Sequence, residues 1–395
     1  MIRGLETRII IVGAGPAGLY CGYLIKRFNP NILVTIIEND KEVGIPKACT
    51  GHISIFGLKK LKLTPFLDID KLVVNRIRGA NIHGPSKAEL QFRTKKFQTV
   101  VVDRVIFDRE IEKLARNVGV EILLGHQVVS VQDGSVAVNI IDENRLIYLD
   151  YTYLIGADGP NSIVRNAFTE KPSTEEFIST YQITANGDFT KDMVELYFGD
   201  FSKNFFVWIV PESYTIARIG IGVPLGQNPK QALDDFIAKR NIKLTNIKFD
   251  CSGQIPVSKP ITNYYENKKL LIGDAACFVK ATSGGGIIFG LTSAECAAKA
   301  ITERLKHFKK LENYNKHLKP VIRELNIHYK LYKYKSQKTN IEFDNLLLRL
   351  KDAGIEDFLN NNGNIDYPSN FIPKLVFYPK FLVFYKELID LIKSK

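Results

Sequence analysis

Three glycines and one carboxylate near the N-terminus have the spacing of a dinucleotide-binding unit. Gly13, Gly15 and Gly18 follow one apolar segment, and Glu38 ends the next apolar segment, 20 residues after Gly18. In such a unit the first glycine permits a tight turn, the second lets a pyrophosphate approach the backbone, and the third lets helix and strand pack closely. Backbone N–H groups at the helix start face the phosphates, and the carboxylate can accept hydrogen bonds from a ribose. The pattern therefore predicts that residues 8–38 bind a dinucleotide.

Three later motifs favour FAD over a nicotinamide dinucleotide. Asp103 and Arg104 start a helical segment in the pattern DRxxFDR, and Asp158 lies in the turn of LIGADGPN. Asp274, in the sequence GDAA at the end of an apolar segment, can direct its carboxylate at a ribityl chain. The glycine run 284–286 can place helix N–H groups under the pyrimidine edge of an isoalloxazine. Each motif alone could be a turn with a solvated aspartate, but their order predicts a flavin site.

These motifs fall on alternating strand and helix patterns, which a parallel sheet would bring together. The predicted strands are 8–12, 32–38, 120–124 and 270–274. The predicted helices are 19–28, 103–119, 230–241 and 287–305. The other predicted parts are a β-meander at 128–153, an antiparallel sheet within 177–223, and a helical, basic and aromatic stretch at 311–395. Because the flavin motifs are far apart in the chain, the nucleotide domain must be discontinuous, with a sheet domain inserted between its parts.

The composition is that of a globular chain with a large positive charge. Its 54 Lys and Arg outnumber its 42 Asp and Glu, which gives a net charge of +12. This charge favours anionic partners such as acidic lipid headgroups or an acidic redox protein, although an inert basic surface fits equally, and nothing resembles a nucleic-acid-binding module. The 5 cysteines have no zinc-type spacing, so we expect no metal and a reducing compartment. With no signal-like segment and no apolar stretch of about 20 residues, we expect a cytoplasmic protein.

The order of the motifs resembles that of the flavoprotein hydroxylase superfamily, which has a glutathione-reductase-like FAD domain. Within it, the chain looks most like the geranylgeranyl reductases, including those that act on archaeal digeranylgeranylglycerophospholipids. The segments that carry this narrower resemblance are KACTGHIS at 47–54, FVWIVP at 206–211 with the following Gly220-x-Gly222, and KATSGGGI at 280–287. Ala281 departs from the family, which usually has a proline there, and Phe206 and Val210 vary an aromatic-rich motif. The resemblance covers residues 8–300.

The resemblance implies an α/β fold with a Rossmann-type FAD domain, an inserted antiparallel-sheet substrate domain and a helical C-terminal region. The expected bounds are 1–60, 100–170 and 265–305 for the FAD domain, 61–99 and 171–264 for the substrate domain, and 306–395 for the C-terminal region. With the motif residues Gly13, Gly15, Gly18, Asp158 and Gly285, the implied FAD contacts are Ala17, Glu38, Cys49, Thr50, Arg104, Val128, Asp274, Gly286 and Ile287. The implied substrate-binding residues are Phe206, Trp208, Pro211, Gly220 and Gly222.

The resemblance further implies a reaction, the saturation of isolated C=C bonds in prenyl chains. A hydride from the flavin would reach one alkene carbon and a proton the other, inside a dry tunnel. The walls expected from the inserted sheet are Tyr181, Tyr197, Phe198, Phe201, Phe205, Phe206, Trp208 and Ile209, although aromatic stripes more often form plain core. Cys49 could present its backbone to the flavin, assist proton or redox chemistry through its thiol, or be a small buried hydrophobe. His52 could be a proton donor or an ordinary loop histidine.

Two other functions fit the same flavin motifs. One is an FAD-dependent monooxygenase or halogenase, since halogenases carry a related Trp-x-Trp-x-Ile-Pro motif. The other is a non-catalytic flavin-binding lipid carrier. A prenyl lipid reductase also needs an electron donor, and the sequence leaves ferredoxin and NAD(P)H open. The basic, aromatic segment 371–392 could make peripheral contact with an anionic membrane surface or pack on the flavin domain.

Overall fold

A six-stranded sheet, here called the nucleotide sheet, brings the flavin motifs together. The computed structural model describes residues 7–46 and 49–384. In spatial order the strands of this sheet are Tyr265–Glu266, Lys269–Leu271, Tyr153–Gly156, Arg8–Val12, Leu33–Ile37 and Glu121–Leu123. Neighbouring strands are parallel except the first two, which are antiparallel. The predicted α/β class is thus confirmed.

Burial explains why the first strand reads as an unbroken apolar run. Ile9, Ile10 and Ile11 have no exposed surface, as expected where a parallel sheet is covered on both faces. The helices that pack around this sheet are Pro16–Phe28, Arg104–Asn117 and Ile287–His307. The first begins at Pro16, one turn before the predicted start at Leu19, because the fixed φ of proline suits the first helical position.

A close contact between two glycines fixes the first helix on the first strand. Gly13 has a φ of +103°, and a Cβ on Gly18 would lie 2.0 Å from the Gly13 carbonyl oxygen. Gly15 differs, because its φ of −68° suits any residue and a Cβ there would meet nothing within 4 Å. Gly18 is therefore required by the packing of the fold, whereas Gly15 leaves space above the helix N-terminus.

The two glycines should respond differently to an added methyl group. We expect Gly18→Ala to lower the free energy of unfolding of the apoprotein by about 1–3 kcal/mol, the usual cost of overpacking. Gly15→Ala is the matched control and should leave this free energy nearly unchanged. Urea unfolding of both variants without FAD measures the difference, and equal destabilisation by the two substitutions would contradict the assignment.

A seven-stranded sheet forms the second large layer. In spatial order its strands are Ile247–Pro256, Phe177–Asn186, Ile216–Pro224, Val207–Pro211, Met193–Tyr197, Gly79–His83 and Glu89–Arg93. The antiparallel pairing predicted within 177–223 is confirmed, but Met193–Tyr197 and Gly79–His83 pair in parallel. The helix Pro229–Lys239 covers one face of the sheet through Leu233 and Phe236. This helix leaves the opposite face uncovered, so that face can line a flavin site.

Smaller elements complete the two layers. The predicted β-meander is a three-stranded sheet of His126–Val131, Ser135–Ile140 and Arg145–Asp150. A second three-stranded sheet, here called the small sheet, contains His52–Ser54, Thr99–Val102 and Val73–Ile77. Short α-helices are Ile55–Lys60, Ile69–Leu72 and Ile163–Asn166. Short 3₁₀ helices are Thr64–Phe66, Thr174–Glu176, Asp200–Ser202 and Gly273–Ala276.

The C-terminal region is helical, as predicted, and has its own apolar core. Its helical segments are Asn313–Ser336, Asn340–Asp352, Ile355–Asn362, Pro368–Asn370, Ile372–Leu375 and Pro379–Phe384. Phe358, Phe381 and Phe384 pack in one cluster with Leu90 of the seven-stranded sheet and with Ala88, just before its edge strand. Of the two alternatives considered for segment 371–392, the part up to residue 384 packs in this cluster and not on the flavin domain, and residues 385–392 lie outside the described residues. Within 7–46 and 49–384, no helix is long and apolar enough to cross a membrane.

Candidate active site

A cavity of about 480 Å³ lies where the two large sheets meet. It joins the helix start after the first strand to the open face of the seven-stranded sheet. The predicted site residues that line it are Gly15, Ala17, Cys49, Thr50, His52, Arg104, Phe206, Trp208, Asp274, Gly285, Gly286 and Ile287. A neighbouring cavity of about 200 Å³ shares Gly15, Cys49 and Arg104 with it and is also lined by Glu38. Most of the predicted residues therefore surround one connected space.

Glu38 stands at the far end of the second cavity. Its Oε2 accepts from the Ala14 N–H at 2.6 Å, and its Oε1 accepts from the Asp40 N–H at 3.0 Å. Burial raises the pKa of Glu38, and the backbone hydrogen bonds oppose this shift. The carboxylate is thus held beside the glycine turn, where it can accept from the hydroxyls of a ribose.

Arg104 lies between the two cavities. Asp103 caps the helix by accepting from the N–H groups of Val105 and Ile106, which places Arg104 in the first turn. Its guanidinium donates to both carboxylate oxygens of Asp108, at 3.0 and 2.8 Å. Burial works against the charge of Arg104, but Asp108 outweighs burial and the pKa of Arg104 is raised. The DRxxFD pattern therefore encodes one cap and one bidentate ion pair that hold a permanent cation in the cleft.

The glycine loop after Asp274 forms the floor of the larger cavity. Burial raises the pKa of Asp274 to about 6, with Arg104 opposing the shift. A Cβ on Gly286 would lie 2.7 Å from Asp274 Oδ1, so only glycine fits beside this carboxylate. The helix Ile287–His307 begins directly after Gly286, and its first N–H groups have no intrahelical partners. The loop thus offers a carboxylate and helix N–H donors to the same ligand.

The aromatic wall consists of side chains that point from the seven-stranded sheet towards the loop. Phe205 and Phe206 stack at 4.2 Å between ring centroids, and both meet the indole of Trp208 edge-on. The other apolar residues that line this part are Ala80, Val194, Leu196, Phe198 and Val210. The cavity therefore changes along its length from a polar cleft at the glycine turn to an apolar chamber.

Four of the expected wall residues face away from this chamber. Tyr181, Tyr197, Phe201 and Ile209 pack in the core beneath helix Pro229–Lys239, on the opposite face of the sheet. The prediction was wrong for these four. Ile209 must oppose Trp208 because side chains alternate along a strand, whereas Phe201 lies in the 3₁₀ helix Asp200–Ser202, where this rule does not apply.

Gly220 and Gly222 make room for the wall. A Cβ on Gly220 would lie 2.3 Å from the Trp208 ring, and a Cβ on Gly222 would lie 2.3 Å from the Phe205 ring. Neither glycine lines the cavity, nor does Pro211, whose carbonyl accepts from the Asn75 amide. We therefore correct the substrate-binding assignment of these three residues: they support the residues that line the chamber.

Four of the predicted cofactor residues also line neither cavity. Both carboxylate oxygens of Asp158 accept hydrogen bonds from the start of helix Ile163–Asn166, so this residue holds its turn together. Val128 is buried in the meander, and Gly13 and Gly18 form the backbone contact described above. Ala157 and Gly159, on either side of Asp158, line the larger cavity instead.

Cys49 and His52 have different environments. Cys49 is half-buried, lines both cavities, and its Sγ accepts from the Gly51 N–H at 3.3 Å. His52 Nε2 lies 2.5 Å from Thr99 Oγ1. Burial lowers the pKa of His52 to about 4, and the charges of Lys280 and Arg218 act in the same direction. His52 is therefore neutral at pH 7, which removes imidazolium as a proton donor.

Two residues that the sequence analysis missed connect the parts of the site. Gln182 Oε1 accepts from Thr50 Oγ1 at 2.7 Å and from Trp208 Nε1 at 3.0 Å. These bonds join residues 49–51, here called the Cys49 loop, to the aromatic wall. Arg218 is buried and donates to the Thr50 and Val102 carbonyls. The position of Arg218 inside the otherwise apolar strand Ile216–Pro224 could have indicated a structural role, whereas nothing in the sequence distinguished Gln182.

These features fit FAD. The backbone at Gly15 faces open space, and Gly286 lies against the Asp274 carboxylate with no side chain between them. Glu38 lines the smaller cavity and Asp274 the larger one, and the first residues of helices Pro16–Phe28 and Ile287–His307 line the larger cavity as well. Gly15 and the start of helix Pro16–Phe28 would hold the pyrophosphate, Glu38 the ribose, and Asp274 with Gly286 and Ile287 the flavin end.

Trp208, the single tryptophan of the chain, is a fluorescence probe of the aromatic wall. We expect Gly220→Ala to displace the Trp208 indole and weaken its hydrogen bond to Gln182, which should shift the fluorescence emission to the red. Gly290→Ala is the control, because its added methyl would meet no atom closer than 3.5 Å. Emission spectra of the apoproteins test this, and an unchanged spectrum in Gly220→Ala would contradict the packing described.

Titration of His52 should appear in the stability of the apoprotein. Because its folded pKa of about 4 lies below the unfolded value of 6.5, the unfolded state takes up a proton first as the pH falls. The stabilisation is complete above pH 6.5 and is lost between pH 6.5 and 4, on the order of 3 kcal/mol in all. His52→Gln should make this slope shallower. Urea unfolding of the native and His52→Gln proteins across this range measures the difference, and equal slopes in the two proteins would contradict the environment assigned to His52.

Comparisons with known proteins agree with the geometry. The sequence profile of the family described as FAD binding domain matches residues 6–326. The digeranylgeranylglycerophospholipid reductase of Methanocaldococcus jannaschii is 28% identical over 407 aligned positions, which cover 96% of this chain and 98% of that protein. The protein of the same name from Methanococcus vannielii is 27% identical, with coverage of 98% of this chain and 100% of its own length. The resemblance to the geranylgeranyl reductases is thus confirmed.

Solved structures share the fold. A geranylgeranyl bacteriochlorophyll reductase-like protein from Thermoplasma acidophilum superposes with a TM-score of 0.82 at 22% identity, covering 98% of this chain and 100% of that one. A flavin-dependent brominase superposes with a TM-score of 0.71 at 16% identity, covering 99% of this chain and 100% of that one. At these identities the likeness concerns the fold, and the same architecture serves both chemistries.

Proposed function

The chain belongs to the FAD-binding domain family and is an FAD-dependent oxidoreductase, and we propose that it saturates C=C bonds in the geranylgeranyl chains of isoprenoid lipids. The observation that carries the proposal is the joining of the flavin cleft to an apolar, aromatic-walled chamber within one cavity. An isolated double bond must meet the flavin in a place that excludes water, and a prenyl chain needs apolar walls. The names of the two methanogen relatives support a prenyl phospholipid as the substrate.

The residues at the polar end and at the apolar end of the cavity have different roles. At the polar end, the glycine turn and Asp274 bind the cofactor, which when bound supplies the hydride. At the apolar end, Phe206 and Trp208 would hold the prenyl chain and keep water out. The hydrogen bonds that Gln182 accepts from Thr50 and Trp208 hold this wall at a fixed position relative to the Cys49 loop.

The proton for the second alkene carbon is best assigned to Cys49. His52 is neutral at pH 7 because burial lowers its pKa to about 4. The Cys49 thiol lines both cavities and stands beside the Arg104 guanidinium. Of the three roles considered for Cys49, proton delivery from its Sγ therefore has the most support.

The charge of the chain supports two anionic partners. The net charge of +12 suits an acidic ferredoxin as the electron donor, with NAD(P)H as the alternative. It also suits peripheral contact with an anionic membrane that holds the lipid substrate. Phe377, Leu382 and Val383 are largely exposed and alternate with Lys374 and Lys380, the pattern of a surface that inserts apolar side chains between lipid headgroups.

A monooxygenase or halogenase is the second candidate, because a flavin-dependent brominase shares this fold. Such an enzyme needs oxygen for each turnover, whereas a prenyl reductase transfers its hydride directly to the alkene. A flavin-binding lipid carrier would transfer no hydride at all. Oxygen dependence and flavin reoxidation therefore separate the three functions.

The test is a single anaerobic turnover. We expect the FAD-loaded protein, reduced with dithionite, to be reoxidised by a digeranylgeranylglycerol phospholipid without oxygen. The lipid should gain about two mass units per double bond, which corresponds to one hydride and one proton. Absorbance follows the flavin and mass spectrometry the lipid. Reduced flavin that persists until oxygen enters would overturn the proposal and favour the monooxygenase.

Two phenylalanines on opposite faces of the same sheet provide the matched control. Phe206→Ala removes a chamber wall and should slow reoxidation by at least tenfold. Phe201→Ala removes a ring that packs against Phe236 on the covered face, and should cost stability without slowing reoxidation.

A further inference from the structure

A buried ion pair stands at the wall of the active-site cavity. Lys280 Nζ lies 2.6 Å from Asp366 Oδ1, and the two side chains are only 8% and 1% exposed. Both residues line the cavity. Lys280 begins the glycine loop, whereas Asp366 comes from the C-terminal region, 86 residues later. No local sequence motif therefore predicts this pair, although both of its residues line the site.

The groups around the pair are polar but neutral. His328 Nδ1 lies 2.7 Å from Thr282 Oγ1, and its Nε2 lies 3.2 Å from the Asp366 carbonyl oxygen. Burial lowers the pKa of His328 to about 3, and that of His52 to about 4, with the Lys280 charge contributing to both shifts. Lys280 and Asp366 are thus the charges that dominate this side of the cavity.

The ammonium group lies directly against the glycine loop. The Lys280 N–H donates to the Gly285 carbonyl at 3.3 Å, and the Gly284 N–H donates to the Lys280 carbonyl at 2.8 Å, so the loop closes on itself. A Cβ on Gly285 would lie 2.6 Å from Lys280 Cε and 3.1 Å from its Nζ. The cation therefore packs next to the start of helix Ile287–His307, whose dipole adds positive potential at the same place.

Two charges buried at a cofactor site need a reason, because desolvation usually exceeds their mutual attraction. Reduction of a flavin adds negative charge to its ring, and nearby protein charges tune this equilibrium. The glycine loop is the part of the chain assigned above to the flavin end. A cation there stabilises the reduced flavin relative to the oxidised flavin, and an anion has the opposite effect.

We propose that Lys280 and Asp366 set the reduction potential of the bound flavin, Lys280 by stabilising the reduced form and Asp366 by limiting that stabilisation. Lys280 is the tuning charge because it contacts the loop itself. Asp366 is a positioning residue that holds the ammonium and screens it. The proposal rests on FAD binding and is independent of the prenyl substrate, so its failure is distinguishable from failure of the reductase assignment.

The experiment measures the midpoint potential of the FAD-loaded full chain against reference dyes, without substrate or oxygen. In Lys280→Met we expect the ratio of reduced to oxidised flavin at a fixed dye potential to fall at least tenfold, about 30 mV for a two-electron couple. In Asp366→Asn it should rise. Lys280→Arg, which keeps the charge, should stay close to the native potential.

A control and a double variant complete the design. Lys269→Met removes another buried lysine, which lies in the nucleotide sheet and does not line the cavity, and should leave the potential unchanged. If a single variant fails to fold, Lys280→Met/Asp366→Asn removes both charges together. Its potential should fall, because the charge that contacts the loop is lost. A native potential in a folded, FAD-loaded Lys280→Met protein, or in the double variant, would overturn the proposal.

Discussion

The position of residues 49–51 and of the small sheet against the seven-stranded sheet depends on the buried guanidinium of Arg218. It donates to the carbonyls of Thr50 and Val102 and pairs with Glu212 at 2.6 Å. A guanidinium that lost these partners would be left charged and buried, which is strongly unfavourable. Arg218 lies in the seven-stranded sheet, Glu212 in the turn after Val207–Pro211, and Thr50 and Val102 in the Cys49 loop and the small sheet. One side chain therefore holds the Cys49 loop against the sheet that carries the aromatic wall. Gln182 adds a second link between the same parts.

The flavin end was predictable because its signals are local. The glycine turn, the capping Asp103 and the Gly-Asp before a glycine run each act through neighbours a few residues away, so their spacing survives in the sequence. Asp158 had the same kind of signal, but its turn satisfies its carboxylate internally. A motif residue can thus shape the turn beside a cavity while its own side chain does not line it.

The chamber was predicted less well because its residues interact across strands. Trp208 lines the cavity, but the contacts of Gly220 and Gly222 with the aromatic rings could not be predicted from the motif. The rule that side chains alternate along a strand would have been sufficient to place Ile209 and Trp208 on opposite faces of the sheet. No rule of spacing could have paired Lys280 with Asp366, since the C-terminal region that carries Asp366 had no motif of its own.

The contacts of the site also determine when it can be completed. The hydrogen bond between Arg218 and Thr50 spans 168 residues, and Asp366 joins Lys280 only after the C-terminal helices have docked. During synthesis from the N-terminus, the strands and glycine turn of the nucleotide sheet can form well before residue 366 emerges. The FAD cleft can therefore form before the cavity is complete, and in a chain interrupted before residue 366 Lys280 would lack the counter-ion that Asp366 provides.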